Sequence, residues 1–112
     1  MSDGKTTIAP EILVTIALLT TLGVPGVSRL ANAPPSVNRL FIPRTDSGVQ
    51  IEVSDDTVYA TLNVILVNDV NIRDVSHNIQ RQVARAISEM VGMNVGQVDV
   101  HIADIDYPEV SQ

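Results

Sequence analysis

Apolar positions recur along this chain with two different periods. Between Asn71 and Gly92, the residues Ile72, Val75, Ile79, Val83, Ala86, Ile87 and Met90 fall three and four apart. That spacing predicts an amphipathic helix. Asn71 is placed to cap its start, with Asp74 three residues on, and Gly92 to end it. Upstream the period is two. Val49, Ile51 and Val53 alternate in "GVQIEV", and Val58, Ala60, Leu62, Val64 and Leu66 alternate in "TVYATLNVILV". With "SDD" (54–56) as a turn, the two runs predict an antiparallel hairpin with one buried face. Ile65 and Val67 make the far half apolar on both faces, the pattern of a central strand. "QVDVHIADI" alternates again and predicts a last strand, with Val98, Val100 and Ile102 inward and Asp99 and His101 outward.

The first half of the chain is less regular. "TTI" (6–8) reads as a short strand, and "APEILVTIALLTTLG" (9–23) as a helix. Pro10 suits the first helical position and Glu11 the first turn. One face runs through Ile12, Ile16, Leu19 and Gly23, widened by Leu13, Ala17 and Leu22. Gly23 and Pro25 stop it. The uncharged run 12–28 is at the lower edge of bilayer-spanning length, but its Thr, Ser, Gly and Pro residues favour a buried core helix. Residues 27–30 begin a strand. Residues 31–48 read as a surface loop whose apolar patch Leu40-Phe41-Ile42 either tucks under the core, the preferred reading, or waits for a partner.

The resulting order is strand, helix, loop, hairpin, helix, strand. The economical packing is an α+β two-layer sandwich, with two helices on one face of a mainly antiparallel sheet. Residues 1–6 form a flexible N-terminus, 7–107 a single domain and 108–112 a tail.

Composition narrows the chemistry. The chain has 112 residues, one domain's worth, and is 45% hydrophobic. With two Tyr, one Phe and no Trp, the core is aliphatic and base-stacking platforms are scarce. A net charge of −6 opposes nonspecific nucleic-acid binding. The absence of cysteine excludes disulfides, thiolate nucleophiles and cysteine metal sites, and fits a cytoplasmic protein. The N-terminus carries no signal-peptide pattern, and no lipidation motif or span is present.

Candidates for chemistry are few. Asp99 and His101 share a strand face and, with Asp104, make a conceivable metal site, although a site wants three or four ligands. Asp55 and Asp56 read as turn residues rather than a catalytic pair. Asp104 and Asp106 lack the Gly and terminal Glu of a calcium loop. "GVPG" (23–26) is formally the G-x-x-G of an RNA-clamping KH module. Its middle residues are not basic, so it reads as a helix terminator. The remaining feature is a cationic stripe on the second helix. Arg73, His77, Arg81 and Arg85, four apart, lie opposite the apolar stripe and hold three of the chain's seven Lys and Arg residues. Arginine without lysine suits carboxylate or phosphate partners. The plain alternative is the wet side of a packed helix.

Three blocks resemble the alkaline shock protein family of bacterial envelope-stress proteins. They are "TIAPEILVTIALLTTLGVPGV", "GVQIEVSDDTVYATLNVILVNDVNI" and "VSHNIQRQVARAISEMVGMNVGQVDVHIADIDY", together spanning about residues 7 to 107. Two departures stand out. The family commonly has Gly near Asp69, and the proline-bearing 31–48 loop has no counterpart. The resemblance implies a cytoplasmic protein without known catalysis, linked to envelope stress. It would sit at the inner face of the membrane through a membrane-anchored protein partner, and could self-associate. It supplies no catalytic residues, cofactor or metal.

The reading is therefore a non-enzymatic interaction protein whose docking face is Arg73, His77, Arg81 and Arg85. No nucleic acid and no direct membrane span are expected. The alternatives are a KH-like nucleic-acid-binding module, favoured by the Arg stripe alone, and a small enzyme with a metal at Asp99, His101 and Asp104.

Overall fold

The computed structural model describes residues 4, 6–32, 45–46 and 48–108. The elements run α1 (Pro10–Leu22), β1 (Val27–Leu30), β2 (Thr45–Asp46), β3 (Val49–Ser54), β4 (Thr57–Val67), α2 (Ile72–Val91) and β5 (Asn94–Asp106). β4 is the spine of the sheet. Along one edge it pairs antiparallel with β3 over 57–62 and then with β1 over 64–66. Along the other edge β5 runs parallel to it, from Thr57 to Val67. β2 extends the sheet beyond β3. α2 is the crossover between β4 and β5, which is why that one pairing is parallel: parallel neighbours need a long connection. The architecture is the expected α+β sandwich with both helices against a mainly antiparallel sheet. α1 lies on the β1 and β3 side, and α2 on the β5 side. "TTI" is not a strand: residues 6–8 have no regular structure.

The core is one aliphatic cluster between the layers. β4 contributes Val58, Ala60, Leu62, Val64 and Leu66, β3 contributes Val49 and Ile51, and β5 contributes Val98. α2 adds Val75, Ile79, Val83 and Ile87, the middle of its predicted stripe. The two ends of that stripe, Ile72 and Met90, are exposed. The Asn71 side chain accepts a hydrogen bond from the Asp74 N–H at 3.0 Å, and Gly92 ends α2 in the left-handed region at φ 79°.

α1 corrects the sequence reading. Its buried residues are Leu13, Val14, Ala17 and Thr21, continued by Val24. Ile12, Leu19 and Leu22, assigned to the inner face, are exposed instead, Leu19 at 62%. The helix is apolar on nearly every side, so its periodicity carries no phase, and packing set it. Gly23 stops α1 without a left-handed residue, at φ −82°; the left-handed one is Gly26, φ 100°. A Cβ on Gly26 would lie 2.8 Å from Val75 Cγ2.

Two other backbone positions matter. Gly48 has φ 86°, and a Cβ there would meet Ala31 O at 2.0 Å and Asn63 O at 2.9 Å. It sits at the seam where β1 hands over to β3 along β4. There Ala31 N–H donates to Asn63 O, and Asn63 N–H donates to Gly48 O. Asp69, before α2, is left-handed at φ 68°. That conformation is easiest for glycine. The Leu40-Phe41-Ile42 patch lies outside the described residues.

Candidate functional site

The helix-start and stripe geometry of α2 turns Val75, Ile79, Val83 and Ile87 to the sheet. Arg73, His77, Arg81 and Arg85 are consequently all exposed. Their local partners are modest. The Arg81 guanidinium donates to Asn78 Oδ1 at 3.1 Å. Arg85 Nε donates to Glu89 Oε2 at 3.0 Å, an exposed pair four residues apart on one helix. Such a pair adds little to stability and leaves both ends open to competition from a partner. Among the described residues, Arg73 and Arg81 form no ion pair. Gln80, which the wheel places near this side, also reaches the sheet: its Nε2 donates to Val98 O on β5 at 3.1 Å.

Arg81 stands between two open grooves. One, of about 440 Å³, is lined by Asp74, His77, Asn78, Gln80 and Arg81. The other, of about 750 Å³, runs between the helices and is lined by Thr20 of α1 and by Arg81, Arg85, Ala86, Glu89 and Met90 of α2. Met90 is 71% exposed, and α1 presents Ile12, Leu19 and Leu22 to solvent. The outer side of the helical layer thus combines arginines with exposed large apolar residues. The arginines were legible in sequence. Sequence reasoning missed the apolar half by assigning those side chains to the core; in a helix with apolar residues on nearly every side, the pattern does not signal which side faces out.

The other candidates have structural roles. Asp55 and Asp56 are the two left-handed residues of the β3–β4 turn, at φ 51° and 64°, and Asp56 O accepts from Asn94 N–H. Asp99 Oδ1 accepts from Gln97 Nε2 at 2.8 Å, and Asp104 Oδ1 from Ile105 N–H at 2.8 Å. Asp106 is clamped by Arg29, whose Nε and Nη2 donate to its two carboxylate oxygens at 3.1 Å each, and by the Ser28 hydroxyl at 2.5 Å. The Arg29 hydrogen bond, then that of Ser28, holds the Asp106 carboxyl below its usual pKa. The clamp ties β1 to β5 across the central strand. Among the described residues, no three His, Asp or Glu side chains are grouped to hold a metal ion. The "GVPG" loop leads into a strand, not a second helix. Its Val24 is buried and its Gly26 is pressed against Val75, which leaves no open backbone cradle for a phosphate.

No helix among the described residues is long and apolar enough to cross a membrane. Comparison with known proteins places these features in a family. The protein YqhY of Bacillus subtilis is 24% identical over 111 residues, covering 97% of this chain and 82% of its own length. Spy1535 of Streptococcus pyogenes serotype M6 is 30% identical over 105 residues, covering 91% of this chain and 79% of its own. Among solved structures, a MamM-CTD variant superposes with TM-score 0.51 at 13% identity, covering 90% of this chain and 100% of that one. A zinc form of a MamM-CTD variant gives 0.50 at 12%, covering 92% and 90%. At such identity the likeness shows the fold alone. The family model of cell envelope-related function matches residues 1–107, and the chain belongs to that family, the alkaline shock protein 23 family.

Proposed function

We propose that this chain is a non-enzymatic interaction protein of the cell-envelope stress response. It docks on a membrane-anchored protein through the outer face of α2 and also associates with itself. The family's envelope-related function supports the setting. The observation that carries the docking reading is the juxtaposition on the helical layer. Arg81 and Arg85 border a groove between the helices that also takes in the exposed Met90 and Thr20 of α1. A partner segment with an apolar side and carboxylates along its margin matches this surface: apolar contact supplies the affinity, and the arginines supply orientation and encounter rate. With no spanning helix among the described residues, attachment to the inner face of the cell membrane would come through that partner.

The test is affinity capture from nuclease-treated native host lysate with the wild type and with an Arg73→Glu, Arg81→Glu, Arg85→Glu triple variant. All three residues are exposed, so the variant should melt close to the wild type. The expected result is one membrane protein retained by the wild type and lost from the folded variant. Equal capture by both chains would rule out the stripe as the docking face.

A further inference from the structure

β5 leaves one whole edge of the sheet without a strand partner among the described residues. It pairs only with β4, although it is 13 residues long. An edge of this length is a template for another strand. The direction of its backbone groups follows from three hydrogen bonds. Asn94 N–H donates to Asp56 O at the β3–β4 turn, and Asp106 O accepts from Asn68 N–H just after β4. Asn94 and Asp106, which share the open face of the sheet with Asp99 and His101, therefore turn their N–H and C=O groups toward β4. The residues of the other face turn theirs outward. Consistently, Val98 O is reached from α2 by Gln80. Between its two register shifts β5 is regular over 97–102. In that run the outward-directed groups belong to Val98, Val100 and Ile102.

We propose that β5 pairs antiparallel with β5 of a second copy, about a two-fold axis at Val100. This deepens the self-association part of the reading above and rests on it. Outward groups must meet outward groups, which restricts the neighbouring registers to three. Placing Val98 opposite Val100 of the other copy sets Asp99 against its own equivalent. Placing Val100 opposite Ile102 sets His101 against its own equivalent. Centring on Val100 sets Asp99 opposite His101 twice, once on each side of the axis. Only that register pairs a carboxylate with a cationic or hydrogen-bonding partner, and like charges directly opposite destabilise a sheet. In it Val100 faces its equivalent and Val98 faces Ile102 as hydrogen-bonded pairs. Asp99 and His101 face each other as the closer, non-hydrogen-bonded pair. Both side chains are exposed on the open face, so the interaction is available without rearrangement.

The flank of α2 beside this edge is compatible with a second copy. Gln80 marks that flank by its bond to Val98, and Ala84, one turn on, is small and half-buried. A carbonyl oxygen has two lone pairs, so Val98 O can accept from Ile102 N–H of the other copy while Gln80 stays in place. The two-fold keeps both helical layers on the same side of one continuous sheet. The association is isologous and closed. It leaves Arg81 and Arg85 of each copy on the outer side of the helical layer, while Arg73, seven residues from Gln80, lies on the flank toward the second copy.

The test is sedimentation equilibrium at about 0.15 M salt, where the Debye length of about 8 Å screens the net charge of the two copies. The chains compared are the wild type, His101→Asp, and the double variant Asp99→His with His101→Asp. The wild type should dimerise. His101→Asp should weaken the dimer by roughly tenfold or more, since it places two carboxylates opposite each other twice. The double variant should recover it, because the swapped pair is again complementary. Since the chain has no cysteine, register can be read directly. Asp99→Cys chains mixed with His101→Cys chains should form a disulfide-linked dimer under mild oxidation, while either alone should not. A wild type that stays monomeric overturns both the pairing and self-association. A dimer indifferent to His101→Asp, or Asp99→Cys chains that cross-link with themselves, overturns this pairing and leaves self-association to another surface. Capture with a variant confined to Arg81→Glu and Arg85→Glu, which lie away from this edge, is independent of all these outcomes.

Discussion

Thr21 offers the most direct test of how α1 is packed. It is fully buried, and its hydroxyl has no hydrogen-bond partner. It shares the buried side of α1 with Leu13, Val14 and Ala17, which belong to the aliphatic core. An unpaired hydroxyl in such a site costs about 1–3 kcal/mol of desolvation on the scale of protein mutational data. Valine keeps the branched shape at Cβ and has nearly the same helix propensity. It replaces the hydroxyl with a methyl that gains from burial. Thr21→Val should therefore stabilise the protein by about 1–3 kcal/mol, or roughly 4–12 °C in Tm for a domain of this size. Thr21→Ser, which keeps the orphan hydroxyl and removes the methyl, should instead lose about 1 kcal/mol. The assay is urea unfolding of the three chains followed by circular dichroism, with the m-value required to stay constant so that midpoints report stability. A valine variant no more stable than the wild type would refute the reasoning. The hydroxyl would then have a partner, such as a carbonyl one turn back, and the inner face of α1 would be differently aimed.

Two further outcomes follow from the backbone seam and from the clamp. Gly48→Ala forces a Cβ to 2.0 Å from Ala31 O in a left-handed conformation, at the junction of β1, β3 and β4. It should cost more than about 3 kcal/mol and lower Tm by about 10 °C or more; a melt within about 2 °C of the wild type would contradict the seam. Asp106→Asn removes the carboxylate that Arg29 and Ser28 hold below its ordinary pKa. Because the folded value is depressed, the carboxylate's contribution is present above the unfolded value near 3.8 and is lost as pH falls through the folded one. The gap in urea midpoint between wild type and Asp106→Asn should therefore be constant from neutral pH down to the acid range, close below that value, and narrow at about 1 M salt. A gap that widens in acid would have the wrong sign.

Local pattern was a reliable guide wherever polarity differed between the faces of an element. α2 shows this: its four central apolar residues, its Asn71 cap and its Gly92 stop were all legible, because a polar face opposes an apolar one. The β3–β4 hairpin was legible for the same reason, and the two-sided apolar run at Ile65 and Val67 marked β4 as the central strand. The arginines of the candidate docking face were visible as the complement of the buried stripe.

Where polarity did not vary, the sequence had nothing to say. α1 carries apolar residues on nearly every side, so contact with α2, β3 and β1 decided that Ala17 and Thr21 face in and that Leu19 faces out. That choice left Ile12, Leu19 and Leu22 exposed. The parallel sense of β5, and the edge it leaves without a strand partner among the described residues, depend on where α2 carries the chain after β4, a long-range property. The clamp between Arg29 and Asp106 joins residues 77 apart in sequence. Periodicity reports the environment of each element one at a time. Which elements become neighbours is settled by the joint burial of all of them, and there the tertiary structure alone decided.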